Sequence, residues 1–204
     1  MRRNNNEYRE LTEVIFDIYR DYGFGVFPID VELVCKKMGV SLLPYSAFNE
    51  ETQVLLMRRS NYGFFVKETR EKPPTIFYNG NFGSPGAIRL TIMHEIKHYV
   101  FDEDSKDEST DDLATFFARY FLCPIPYLIE KGIEKEGDIV SRFGVSMEAA
   151  KNVSSNVKNR KLRSGNKIFK HEEAFLRLID DKSFERFIRL QSGEEVKASV
   201  LVRL

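Results

Sequence analysis

The sequence predicts an α+β fold in which a small antiparallel sheet packs on helices and a mainly helical region follows. Two β-rich segments, 63–66 and 75–78, are separated by charged and proline residues, which is typical of a hairpin with a loose turn. Apolar residues recur at helical spacing before and after them, for example over 7–22. The 204 residues are 42% hydrophobic and 13% aromatic, a composition that supports a buried core and argues against a disordered chain.

The other elements follow from periodicity and from the glycine and proline residues between them. Gly23 and Gly39 each end an apolar helical pattern, and a short strand is expected over 40–44. Ser146 is expected to cap a later helix at its N-terminus. The last residues, 196–204, have the composition of a strand. The predicted helices cover residues 7–22, 28–38, 85–99, 111–122, 129–143 and 171–190.

Composition and charge argue against several classes of protein. Lys and Arg number 31 and Asp and Glu number 31, so the zero net charge does not indicate a globally basic nucleic-acid binder. The two cysteines, Cys35 and Cys123, cannot form a disulfide framework, and we expect two buried thiols in a reducing compartment. No apolar run approaches the ~20 residues that span a bilayer. No apolar leader follows the first arginines, so the sequence predicts a cytoplasmic protein without membrane contact.

The strongest functional signal is the sequence His-Glu-Ile-Lys-His at 94–98, inside a predicted helix whose apolar residues indicate packing. His94 and His98 are four residues apart and lie on one helix face, so both imidazoles can reach one Zn²⁺ at ~2.0–2.1 Å. Glu95 lies beside the metal and can deprotonate a zinc-bound water and then protonate the leaving amine. This H-E-x-x-H pattern is the zincin motif and predicts a zinc-dependent peptidase.

A catalytic zinc ion needs a third protein ligand. His171 lies in a separate basic segment and no cysteine pair has ligand spacing, so we expect a carboxylate. The candidates are Asp102, Glu103, Asp104, Asp107, Glu108, Asp111 and Asp112. Asp111 is preferred because it begins the next helix, where the small residues Ala114 and Ala118 allow close approach to the metal helix. Glu108 is the alternative, since its longer side chain can compensate for its earlier position.

The motif at 94–98, followed by the sequence of 111–124, resembles the ImmA/IrrE family of metallopeptidases. An acidic residue, Ala-Thr, Phe-Ala and an apolar run ending in Pro124 occupy the places of the family pattern. The resemblance covers roughly residues 10–155. Asp111 stands where the family usually has glutamate, and Lys97 stands where a glycine commonly precedes the second histidine.

The resemblance implies a zincin-like metallopeptidase domain over 1–128 and a mainly helical C-terminal region over 129–204 with a helix-turn-helix-like segment. It implies a zinc-dependent cytoplasmic endopeptidase whose protein substrate is a helix-turn-helix transcriptional repressor. The segment 76–79 resembles the edge strand of the family, which ends in asparagine. An extended substrate would add a strand there. The expected substrate-binding residues are Thr75, Ile76, Phe77 and Tyr78.

The alternative is a DNA-binding or partner-binding regulator that has a metal site and no proteolytic activity. Its support is the helix-turn-helix-like segment 141–151 and the basic segment 158–170. The first candidates for DNA contacts are Arg142, Lys151, Lys158 and Arg160. We prefer a structural role for both segments, because helix-turn-helix patterns are weak evidence without residues that contact bases.

Overall fold

The structure is a computed structural model that describes residues 5–103 and 111–191, with side chains over 6–103 and 111–181. The strands are β1 (Ser41–Pro44), β2 (Gly63–Val66) and β3 (Thr75–Tyr78). The helices are α1 (Asn5–Tyr22), α2 (Val31–Lys37), α3 (Glu50–Arg59), α4 (Pro85–Val100), α5 (Asp111–Leu122), α6 (Ile125–Glu130), α7 (Glu136–Phe143), α8 (Met147–Ser164) and α9 (Lys170–Gln191). The strand expected over 196–204 lies outside the described residues. Within them, the fold is a mostly helical α+β fold with one small sheet.

The sheet has the strand order β1-β3-β2. The predicted hairpin is confirmed, because β2 pairs antiparallel with β3 and Phe64 lies opposite Phe77. The expectation of a purely antiparallel sheet is wrong. β1 pairs parallel with the other side of β3, with Leu42 opposite Ile76, so the sheet is mixed. Parallel strands need a long connection, and the chain between β1 and β3, which contains α3 and β2, is long enough to provide it.

Helix α4 lies between the sheet and the other helices. It packs against β2 and β3 on one side and along α5 on the other. Ser84 caps its N-terminus by accepting a hydrogen bond from the Ala87 N–H, and Pro85 occupies the first turn, where no N–H donor is needed. Ile92, Met93 and Ile96 are fully or almost fully buried, which makes α4 the central helix of the core.

The C-terminal helices form a tightly connected group. Gly144 ends α7 in the left-handed conformation, and Ser146 caps α8 by accepting from the Ala149 N–H, as predicted. Arg160 donates two hydrogen bonds of 3.0 Å to the buried carboxylate of Glu172 in α9. Lys161 forms an ion pair with Glu134, so two residues of the basic segment 158–170 are paired within the chain. The domain division at residue 128 stays a prediction.

Both cysteines are buried and free, as the sequence predicted. Burial raises the pKa of the Cys35 thiol to about 12 and also raises the pKa of Cys123. Neither thiol is therefore a reactive nucleophile at neutral pH. Among the described residues, no helix combines the length and the apolar character that crossing a bilayer requires.

The first half of α4 is in close contact with the turn between α7 and α8. Gly86 lies directly against the backbone of Val145 and Ser146, with no room for a Cβ atom. Nearby, Arg89 donates a hydrogen bond of 2.6 Å to the Ile29 carbonyl. It also donates one of 3.4 Å to the carbonyl of the last α7 residue. The C-terminal helices therefore help to fix the position of α4.

The substitution Gly86→Ala is expected to destabilise the fold by on the order of 1–3 kcal/mol, because its methyl group would overlap this backbone. Urea unfolding monitored by circular dichroism measures the change. Gly137→Ala is the matched control: Gly137 is helical, with open space at the Cβ position, so the variant should be slightly more stable than wild type. Equal stability of Gly86→Ala and wild type would contradict this contact.

Candidate metal centre

The last two turns of α4 carry the three residues of the zincin motif. The ring centres of His94 and His98 are 5.2 Å apart, as expected for side chains one turn apart on one helix face. His98 is almost completely buried, and Glu95 is 5% exposed. His94 and Glu95 line a cavity of about 500 Å³, which also reaches Asp111 at the start of α5.

His94 lies against the first turn of α5. Its Nε2 atom is 3.1 Å from Oδ1 of Asp111, and its Nδ1 atom is 3.4 Å from Oγ1 of Thr115. Asp111 and Thr115 are four residues apart and therefore share one helix face. Packing of α5 on α4 thus places one oxygen atom near each nitrogen atom of the His94 ring.

His98 has a different carboxylate neighbour. Its Nδ1 atom is 3.3 Å from Oε2 of Glu103, which also forms an ion pair with the buried ammonium group of Lys97. The sequence offered Glu103 only as a candidate third ligand. In the structure its carboxylate lies beside Lys97 and His98 and is not among the residues that line the cavity with His94 and Asp111.

Burial lowers the pKa of both motif histidines. The pKa of His94 falls to about 4, with further lowering by His98 and Lys97 that the carboxylate of Asp111 opposes. The pKa of His98 is lowered first by burial and then by the positive charge of Lys97. Both rings are therefore neutral at neutral pH, which is the state that metal coordination requires.

The donor types and two of the distances are compatible with zinc. Two imidazoles and one carboxylate form one of the known ligand sets of catalytic zinc. Neighbouring donors of a tetrahedral zinc ion lie about 3.3 Å apart, and two imidazoles bound through Nε2 have ring centres about 5 Å apart. The observed values are 3.1 Å for His94 and Asp111 and 5.2 Å for the two rings.

In this structure, His94, His98 and Asp111 do not have the arrangement of a complete metal site. No group of three His, Cys, Asp or Glu side chains in the described parts of the chain has an arrangement that could hold a metal ion. The closest approach is the pair of His94 and Asp111.

A comparison with known families identifies the family of the chain. The model of the IrrE N-terminal-like domain, Peptidase_M78, matches residues 35–155. The chain belongs to the Peptidase_M78 family. No curated protein matches the chain. The resemblance found in the sequence is thus confirmed at the level of the family. Membership identifies a peptidase family, implies metal dependence and is the basis on which a zincin-like fold is inferred.

The cavity of this Peptidase_M78 chain is bounded by β2 and not by β3. Gly63 and Phe64 line it, together with Arg59 at the end of α3. The expectation that Thr75–Tyr78 provides a free sheet edge is wrong, because β3 is the central strand and pairs on both sides. Its backbone groups are used within the sheet, and Ile76 is completely buried.

Some site residues could not be identified from the sequence. Arg59 belongs to α3, which the sequence analysis did not predict, and its guanidinium lies 4.2 Å from the ring centre of Phe64. The sequence did contain an indication of α3, because Asn49 is followed by two glutamates, a pattern typical of an N-cap and the first turn of a helix. Asp112, next to Asp111, lines a separate cavity. Glu108 lies outside the described residues.

Proposed function

We propose that the chain is a zinc-dependent endopeptidase in which His94, His98 and Asp111 bind the metal and Glu95 transfers protons. The observation that supports this best is the 3.1 Å contact between His94 and Asp111 at the cavity that Glu95 also lines. A zinc ion bound there would supply the Lewis acidity that polarises a scissile carbonyl group. Membership in a peptidase family agrees with this chemistry.

Glu95 is the proposed general base and general acid. Glu95 follows His94 directly in α4. Its side chain therefore lies beside the helix face that carries His94 and His98, and not on that face. Its carboxylate takes a proton from the attacking water and gives it to the leaving amine. The position of Glu95 at the cavity that His94 and Asp111 also line supports this role.

The substrate is proposed to bind in extended form along the free edge of β2. Among residues 5–103 and 111–191, this strand pairs only with β3, and its first two residues line the cavity with His94 and Glu95. Main-chain hydrogen bonds to such an edge provide affinity that depends little on sequence, while the cavity selects a side chain. A volume of about 500 Å³ is within the usual range of ligand sites. Arg59 adds a positive charge at this cavity.

The substrate class is proposed from the sequence resemblance alone: a helix-turn-helix transcriptional repressor, cleaved in the cytoplasm. DNA binding by the chain itself is less well supported. Arg160 and Lys161, which belong to the basic segment, are engaged by Glu172 and Glu134. Ion pairs within the chain reduce the charge that is available for phosphate groups.

Glu95→Gln is expected to retain zinc and to lower the cleavage rate by about 10²–10⁴-fold, because the amide cannot transfer the proton. The assay incubates the zinc-loaded protein with a proteome-derived peptide library and counts new N-termini by mass spectrometry. Glu136→Gln, at an exposed position of α7, is the control and should cleave like wild type. Undiminished cleavage by Glu95→Gln would refute the mechanism. Zinc binding without cleavage by wild type would favour the non-proteolytic regulator.

Asp111→Asn is expected to weaken zinc binding by more than about tenfold, because a neutral amide oxygen replaces a charged ligand. The measurement is the zinc content of tag-free protein by elemental mass spectrometry. Asp112→Asn is the matched control, because Asp112 is the next residue along the chain and lines a separate cavity. This variant should keep about one zinc per chain. Full zinc content in Asp111→Asn would mean that the third ligand is Glu108 or another nearby carboxylate.

A further inference from the structure

The turn after α4 brings the chain back alongside the motif helix. The Glu103 N–H donates a hydrogen bond of 2.9 Å to the His98 carbonyl, and Asp102 has a positive φ of 51°. Lys67, in the loop between β2 and β3, holds this turn. Its ammonium group is 2.6 Å from the Asp102 carbonyl and 2.7 Å from the Asp102 carboxylate. The backbone of Glu103 is therefore fixed next to the last turn of α4.

The side chain of Glu103 reaches two neighbouring residues of the motif. One carboxylate oxygen, Oε2, contacts the ammonium group of Lys97 and lies 3.3 Å from Nδ1 of His98. The contact with Nδ1 is outside hydrogen-bond geometry, and this buried nitrogen has no hydrogen-bond partner among the described residues, so Glu103 is an acceptor within reach of an unsatisfied ring nitrogen. The side chain of Lys97 is 1% exposed, and that of Glu103 is 23% exposed. A buried ammonium group needs such a partner, because its desolvation is otherwise uncompensated. The same carboxylate oxygen thus lies beside both Lys97 and the His98 ring.

A carboxylate at Nδ1 determines what the other nitrogen of the ring can do. A neutral imidazole carries one proton, and a carboxylate acceptor favours the tautomer with that proton on Nδ1. The lone pair of Nε2 is then available to a metal ion. Carboxylate partners of this kind orient histidine ligands and raise their basicity.

We propose that Glu103 is a positioning residue that holds His98 in the orientation and tautomer in which Nε2 can bind the metal ion. This inference rests on the proposed function, because it assigns a role toward the metal of that site. Glu103 itself is not a ligand of the metal.

A simpler role for Glu103 would be to neutralise Lys97 only. A positive charge next to two metal ligands opposes the binding of a cation. Loss of Glu103 could then weaken the site through Lys97 and without any effect on His98. Substitution of Lys97 by methionine separates the two roles, because it removes the charge and keeps an unbranched side chain of similar size.

The experiment measures the zinc affinity of the full chain by competition with a chromophoric chelator. The reference is Lys97→Met, which should bind zinc at least as tightly as wild type. In that background, Glu103→Ala should weaken binding by about 10–100-fold. Glu103→Gln should lie between the two, since its amide oxygen still accepts a weaker hydrogen bond. Equal zinc affinity of Lys97→Met and Lys97→Met/Glu103→Ala would overturn the proposal.

A second measurement does not depend on the metal. Long-range ¹⁵N–¹H spectra at pH 8 report the tautomer of each imidazole in the metal-free protein, and the chain has only three histidines to assign. His98 should carry its proton on Nδ1 in wild type and in Lys97→Met, and should lose this preference when Glu103→Ala is added. A proton on Nε2 of His98 in wild type would overturn the proposal. Failure of wild type to bind zinc would overturn the proposed function instead, and the tautomer would still be decided.

Discussion

The packing of α5 along α4 is the contact on which the candidate site depends. His94 and His98 need only one helix, but Asp111 and Thr115 reach His94 because a second helix approaches it closely. The small residues Ala114 and Ala118, both fully buried, lie on the same side of α5 and permit this approach. The same approach allows Asp111, although one methylene shorter than glutamate, to contact the imidazole.

The sequence could predict what is local along the chain. The motif spacing, the N-cap at Ser146 and the hairpin of β2 and β3 all depend on residues that are close in sequence. The parallel pairing of β1 with β3 joins residues more than thirty positions apart, and no local pattern indicates which side of β3 is occupied. Helix α3 has no buried residue, so it lacks the apolar stripe that makes a helix recognisable.

The acidic residues after the motif show the same limit in the site itself. The sequence offered several carboxylates after His98 and preferred Asp111 as the ligand, but it could not assign the contacts of the others. Their separate roles depend on a turn at Asp102 with a backbone conformation that is uncommon outside glycine. That turn directs Asp102 to Lys67 and Glu103 to His98, and leaves Asp111 to contact His94 from the next helix.

The helices after residue 128 also contribute to the site, although none of their described side chains lines its cavity. Gly86 and Arg89 connect the first half of α4 to the turn and the end of α7. Because a helix is rigid over its sixteen residues, fixing its first half also limits where its last two turns can lie. The contacts at Gly86 therefore help to determine how closely His94 approaches Asp111. Ion pairs such as that of Arg160 with Glu172 hold these supporting helices together, which gives this basic residue a structural role.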